Sequence, residues 1–381
     1  MPGKLAAWLL IPAVLGAQSA PLWPGARYNA ADRDAALERG LNFIYRTASD
    51  PKTFADWGHD LLWCFYTISA TSKNPKLRAL ARHMGHERAL QWRRIHPTVP
   101  AGTDADELPD LVFGSDAADR LGARDPGYKQ QLRSAVRRYS VADFLLFDPM
   151  REPPPSDIPR QCGQCETWNA RGATVCSRCG APLTMRNRYD VWEDALVTTY
   201  TGEICGITLG APYRDVIRWI SVMRPYPARA DISTGAFYSV AYAITHVIYT
   251  LNDYNRYLLS PDWLPQEFLF LKTNLEEAVK LEDPETLGEF LDTLRDFGMM
   301  EHDALIRTGV DYVLSKQNPD GSWGNPMDRD RRAAGVRLEG NAPQLSGLGA
   351  APQCRPEGTG RPRRALSIIT RWPSSTVFRS A

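Results

Sequence analysis

Four of the seven cysteines stand as two close pairs, Cys162-Gly-Gln-Cys165 and Cys176-Ser-Arg-Cys179, ten residues apart. A Cys-x-x-Cys turn presents two thiolates to one side, and two such turns complete a tetrahedral zinc site. With no ligand position left for water, the zinc there is expected to be structural. Gly180, directly after the second pair, gives that turn the room it needs. The same residues admit two other chemistries. Export would encourage a pair of disulfides, since oxidising compartments favour them. A redox Cys-x-x-Cys would want a thioredoxin-like context, which is missing. Cys64, in the apolar run Leu61 to Ile68, reads as a buried small hydrophobe, and Cys205 and Cys354 carry no pattern.

A second group of residues could move protons. In the segment 236–257, Phe237, Val240, Ala241, Ile244, Ile248 and Leu251 form one apolar face. Opposite them, Tyr242, His246, Tyr249 and Asp253 fall at i, i+4, i+7 and i+11. That stride puts an imidazole, two phenols and a carboxylate in one column. His246 is a candidate base or ligand with Asp253 two turns away, and Tyr242 and Tyr249 are candidate substrate contacts. The plainer reading is a core histidine hydrogen-bonded to a tyrosine. Asp56-Trp57-Gly58-His59-Asp60 opens another apolar helix. His59 and Asp60 are catalytic candidates there and Trp57 a substrate contact, although Asp60 also suits the helix dipole as a first-turn acid. Tyr189-Asp190-Val191-Trp192-Glu193-Asp194 opens a third. Asp190 and Asp194 could form a general acid pair beside Trp192, but helix starts collect acids anyway.

Other signals fail on order or context. His83-Met84-Gly85-His86-Glu87 lacks the His-Glu-x-x-His order of zinc proteases. No Gly-rich phosphate loop or Ser-centred elbow appears.

The elements that must position these groups are helices. Apolar residues recur at helical spacing near 31–47, 57–71, 75–94, 105–121, 128–138, 189–200, 212–223, 236–257, 264–280, 285–297 and 302–316. Strand-like alternation is scarce, and Pro51, Pro75, Pro100, Pro126, Pro212 and Pro284 mark joints. The fold class is all-α. Hydrophobic residues make up 43% of the 381, ample for a core and against a disordered chain. Basic and acidic side chains nearly cancel, 45 against 44, which argues against a nucleic-acid partner. No apolar run is long enough for a transmembrane span.

Two segments align without a gap: Asp34 to Tyr45 lies over Asp303 to Leu314, with Asp, Ala and Gly coincident and apolar positions matched in kind. The second copy runs on through Gln317-Asn318-Pro319-Asp320-Gly321-Ser322-Trp323, a helix end and a Pro-Asp-Gly turn that Gln317 and Trp323 can pin. From Arg307 to Trp323 the chain resembles the Gln-Trp repeat of the squalene cyclase and protein prenyltransferase superfamily. That pattern is Gly, an aromatic, aliphatics, Gln, then Gly-x-Trp. The counterpart at 39–57 keeps Gly40 and Phe43, with Trp57 a candidate for the tryptophan, but lacks the Gln and the Asp-Gly turn. The resemblance implies an α/α-toroid of helical hairpins whose inner helices surround a central funnel, with His59 and Asp60 among residues that point into it. The cysteine segment resembles small zinc ribbons. The superfamily's catalytic motifs have no complete counterpart. Asp104-Ala105-Asp106-Glu107 is similar to the Asp-x-Asp-Asp acid of class II terpene cyclases but ends in Glu and sits like a helix cap, and the prenyltransferase zinc triad cannot be placed.

The expected organisation is a signal peptide at 1–20, an N-terminal toroid half at 21–150 and a zinc-ribbon insert at 151–186. A C-terminal half follows at 187–326, then a disordered Arg-rich tail at 327–381. The signal segment suggests export to the periplasm or beyond, with a retained apolar helix and a cytoplasmic location as the alternative. Eleven Trp and fifteen Tyr could line a funnel for an apolar or isoprenoid-like substrate. An exported hydrolase or lyase on a polymer or glycan is the second expectation, and a non-catalytic ligand- or protein-binding scaffold the third.

Overall fold

The computed structural model describes residues 27–281, 283–300 and 302–323, so the expected signal peptide and tail lie outside the described residues. The helices are α1 (Ala30–Thr47), α2 (Pro51–Thr71), α3 (Pro75–Ile95), α4 (Leu108–Arg120), α5 (Pro126–Val136), α6 (Val141–Leu145) and α7 (Arg188–Cys205). They continue as α8 (Tyr213–Ile217), α9 (Ile220–Met223), α10 (Thr234–Leu251), α11 (Pro265–Lys280), α12 (Pro284–Asp296) and α13 (Ala304–Ser315). Among the described residues there is no strand, only isolated bridges. No helix among them is long and apolar enough to cross a membrane.

Four helices start on one local device. Asp50-Pro51, Asn74-Pro75, Asp125-Pro126 and Asp283-Pro284 each place a carboxylate or amide oxygen at the N-cap, where it accepts from a first-turn N–H. The proline behind it supplies a helical φ and lacks the N–H that would go unsatisfied.

Five helices pack side by side in the order α2, α4, α7, α10, α12. Their cross-links reveal direction, because a parallel pair holds the difference of residue numbers nearly constant. Between α2 and α4, Trp63 Nε1 donates to the Phe113 carbonyl (3.0 Å) and Arg120 to the Tyr66 hydroxyl (3.1 Å), at separations of 50 and 54. Between α10 and α12, Tyr242 meets Thr286 and Thr245 meets Glu289, both at 44. Tyr200 and Asp253, separated by 53, join α7 to the end of α10. The row is parallel at these steps, and α3 and α11 carry the chain back between successive members. One apolar core gathers around α7, α10 and α12, the other around α2, α3 and α4.

Three expected elements change, and one element is new. The helix expected from 57 already starts at Pro51, so His59 and Asp60 lie beyond its second turn rather than at its opening. The helix expected at 212–223 divides into α8 and α9 at Arg218 and Trp219, whose side chains both donate to the Pro149 carbonyl (2.7 and 2.9 Å). The one expected at 236–257 stops at Leu251, because Asp253, Tyr254 and Asn255 take φ of 57°, 51° and 70°. The short α6 was not foreseen; Ser140 and Asp143 build its capping box.

Candidate metal centre and polar interior

The segment between α6 and α7 holds no helix, and the paired cysteines lie within it. The four Sγ atoms all lie within 4.8 Å of one another, with Cys162–Cys179 at 3.6 Å and Cys165–Cys176 at 3.4 Å. An ion bound by four thiolates at about 2.3 Å implies sulfur–sulfur edges of about 3.8 Å, so the cluster fits a tetrahedral metal ion. The two turns are built alike. Cys162 N–H donates to Thr167 O and Glu166 N–H to Cys162 O; Cys176 N–H donates to Ala181 O and Gly180 N–H to Cys176 O. Backbone N–H groups of Cys179 and Arg178 draw the Cys176 thiol down to about 6, whereas, against the pull of the Ala181 N–H, the neighbouring cysteine sulfurs push the Cys179 thiol up to about 12.

This segment is tied to the first turns of α7. Arg160 pairs with Asp190, and Arg186 pairs with Asp194 while donating to the Asp190 carbonyl (3.2 Å). Asp190 also completes the α7 capping box with Asn187. These two acids, expected as a general acid pair, are thus occupied by the cysteine segment and the helix start. Trp192, expected as a substrate contact, is fully buried and donates to the Val216 carbonyl (3.1 Å). It packs against α8.

The residue between them faces the other way. Glu193, 8% exposed, places Oε1 3.7 Å from Nδ1 of His246, which is 2% exposed. The His246 Nδ1 lies 2.7 Å from the Tyr242 carbonyl, an acceptor only, so the proton belongs on Nδ1 and Nε2 is the basic nitrogen of the neutral ring. The plainer expectation of a bonded core histidine is met by that carbonyl rather than by a phenol. On the far side, Thr245 donates to Glu289 (2.7 Å) and Asn255 to Asp292 (3.0 Å). Burial, with the carboxylates of Asp292, Glu289 and Asp296 nearby, pushes the Tyr249 phenol well above its usual range, so it stays a hydroxyl donor. Its ring stands edge-on to His246 at 5.7 Å.

Of the expected column, Tyr242, His246 and Tyr249 therefore stay together. Asp253 leaves it with the end of the helix, accepting instead from the Tyr200 hydroxyl and from Arg256 (2.9 Å). Tyr254 bridges the two groups, stacked on Tyr249 (5.6 Å) and tilted on Tyr200 (5.5 Å). His59 and Asp60 fall elsewhere. His59 Nε2 is 3.5 Å from Asp60 and 3.6 Å from Asp110 of α4, and its ring stacks on Trp57 at 6.4 Å. In the helix row, α4 and α7 stand between them and His246. Asp104 does not cap α4 as expected: it accepts from the Asp106 and Glu107 N–H groups (both 2.9 Å) in the turn before the helix, whose N-cap is Glu107 with no side-chain cap.

Sequence reasoning missed the acids of α12. Glu285, Glu289, Asp292 and Asp296 repeat at i, i+4, i+7 and i+11, the stride of Tyr242 to Asp253. All four are buried, with Arg295 the single basic residue of the helix and buried too. The stride was readable; that this face turns inward was not.

Comparison with protein-family models, with curated proteins and with solved structures gives no match in any of the three.

Proposed function

We propose that this chain is an α/α-toroid enzyme working by general acid–base catalysis on a polar substrate between α7, α10 and α12, with a structural zinc ion in its four-cysteine insert. The observation that carries the reading is the buried His246 imidazole beside Glu193, with its neighbour Thr245 bonded to Glu289 of α12. An enclosed imidazole–carboxylate pair holds a proton at a fixed place, as general acid–base chemistry requires. His246, with Glu193 at its protonated nitrogen, is assigned the base, and Tyr249 a neutral hydrogen-bond donor. The carboxylates favour this reading over an isoprenoid funnel, since an apolar chain laid against them would strip charges of solvation without replacing it. The parallel row with its returning helices, and the Gln317–Trp323 turn seated on α1, support the toroid. The tetrahedral spacing of the thiols supports zinc.

The test is a turnover panel of polysaccharides, glycosides, esters, amides and polyprenyl diphosphates. Wild type is compared with His246→Gln and Glu193→Gln at matched circular dichroism and zinc content. The expected result is turnover of a polar substrate, reduced about 10²- to 10⁴-fold in the variants. Turnover of a polyprenyl diphosphate, or variants as active as wild type, would sink the assignment. Saturable ligand binding with no turnover at all would make the chain a binding scaffold.

A further inference from the structure

A cavity of about 150 Å³ opens between the N-terminal half of α2, the last turn of α3 and the start of α4, away from the His246 cluster. Its lining mixes two chemistries. Ala55, Pro100, Leu111 and the Trp92 indole bring apolar surface; Asp56, Glu107 and Asp110 bring three carboxylates, and His59 and His96 two imidazoles. Among the described residues that line it there is no lysine or arginine. Arg93, next to Trp92 in sequence, is held by Ser115, Asp119 and the Ala123 carbonyl. His96 caps the C-terminus of α3, and its ring lies on Trp92 at 4.3 Å with Nδ1 3.0 Å from the Trp92 carbonyl. That helix end adds the negative pole of its dipole to the same space.

From this mixed lining we infer a second binding site, for a small organic cation with an apolar stem: a primary alkylammonium or alkylguanidinium. The apolar residues take the stem, while the carboxylates and the α3 terminus take the charged head. Asp110 is the contact to test, because its carboxylate lines the cavity and lies 3.6 Å from His59 Nε2. A free amine and a lysine or arginine side chain of a peptide share this chemistry.

The test uses the full chain with n-butylammonium and n-butylguanidinium as probes, n-butanol and butyrate as uncharged and anionic isosteres, and acetyl-Gly-Lys-Gly-amide as the peptide form. Binding is followed by calorimetry and by the imidazole proton resonances of His59 and His96. The expected result is saturable binding of the cations with Kd of about 1 mM or tighter, shifts at both histidines, and no response to butanol or butyrate. Asp110→Asn is expected to weaken binding about tenfold. Tighter binding of the peptide would place the natural ligand on a polypeptide; tighter binding of the free amine would make it a small molecule. Equal response to butanol, no response to either cation, or unchanged affinity in Asp110→Asn would overturn the proposal. The comparison among isosteres needs no variant, so a folding defect in Asp110→Asn would not protect it.

Discussion

At the scale of single residues, the two cysteine turns differ at the position just after the second cysteine. Gly180 has φ of 73° and Glu166 has φ of 54°, each one residue past its second cysteine and each donating to the first cysteine's carbonyl. An L-residue in that region costs about 1–2 kcal/mol, which a glycine avoids. Glu166→Gly should therefore raise the thermal midpoint by a few degrees, corresponding to about 0.5–1 kcal/mol, once the glycine's greater chain entropy is set against the relieved strain. Gly180→Ala should lower stability by about 1 kcal/mol. Thermal melts of the two variants with metal bound check both signs, and a Glu166→Gly chain no more stable than wild type would contradict the argument. The need for Gly180 was legible beforehand because glycine advertises its conformation. Nothing about a glutamate does, so the second left-handed position became visible only through the shared hydrogen-bond pattern.

At the scale of elements, the starts of the expected helices other than α2 were legible to within a few residues, and interior faces were not. Asx-Pro pairs mark the onset of α2, α3, α5 and α12 because cap and proline both act within one turn. The end of α10 was hidden, since Asp253, Tyr254 and Asn255 continue the helical period in residue type while the backbone has already turned left-handed. The acids of α12 look like a solvated stripe until α10 is placed over them. The arginine partners of Asp190 and Asp194 were hidden for a related reason: a carboxylate at a helix start reads the same whether it meets a substrate or an arginine from a distant loop. Here the arginines, Arg160 and Arg186, belong to the cysteine segment. Removing the metal should thus reach beyond the insert. With chelator and a thiol reductant, hydrogen exchange is expected to quicken through 158–186 and also in the first two turns of α7, near 187–194, while α2 and α3 keep their protection. Asp190→Asn should reproduce the α7 part with the metal still bound. Exchange confined to the insert after chelation would mean that the arginine contacts carry no coupling.

At the scale of the whole molecule, the chain brings together the two segments that align in sequence. Gln317 donates to the Ala36 carbonyl (2.7 Å) and accepts from Arg39 (3.0 Å), and Arg46 donates to the Asp320 carbonyl. The Trp323 ring covers Gly40 so closely that a methyl group there would approach it to 2.8 Å, and its Nε1 donates to the Val313 carbonyl (3.0 Å). The glycines shared by the two segments thus serve one purpose, close approach: Gly40 under Trp323, Gly309 under Leu291. Gly321 is fixed twice over, by φ of 95° and by the Arg39 carbonyl lying where a side chain would begin. If this clasp joins the ends of the helix row, loosening it must expose α1 as well as the C-terminal turn. Trp323→Ala is expected to cost about 2–4 kcal/mol, and Gly321→Ala to weaken the clasp as well. Each should speed hydrogen exchange in α1 and α13 together. Acid should do the same. The Ser322 N–H and hydroxyl hold the Asp320 carboxyl below the usual carboxylate range, so the turn gains stability above the ordinary carboxylate pKa of about 4 and loses it as pH falls through the lowered folded value. Asp320→Asn should flatten that acid dependence in α1. Exchange that quickens at 316–323 alone, leaving α1 protected in every variant, would show that the turn rests on α1 without holding the row together.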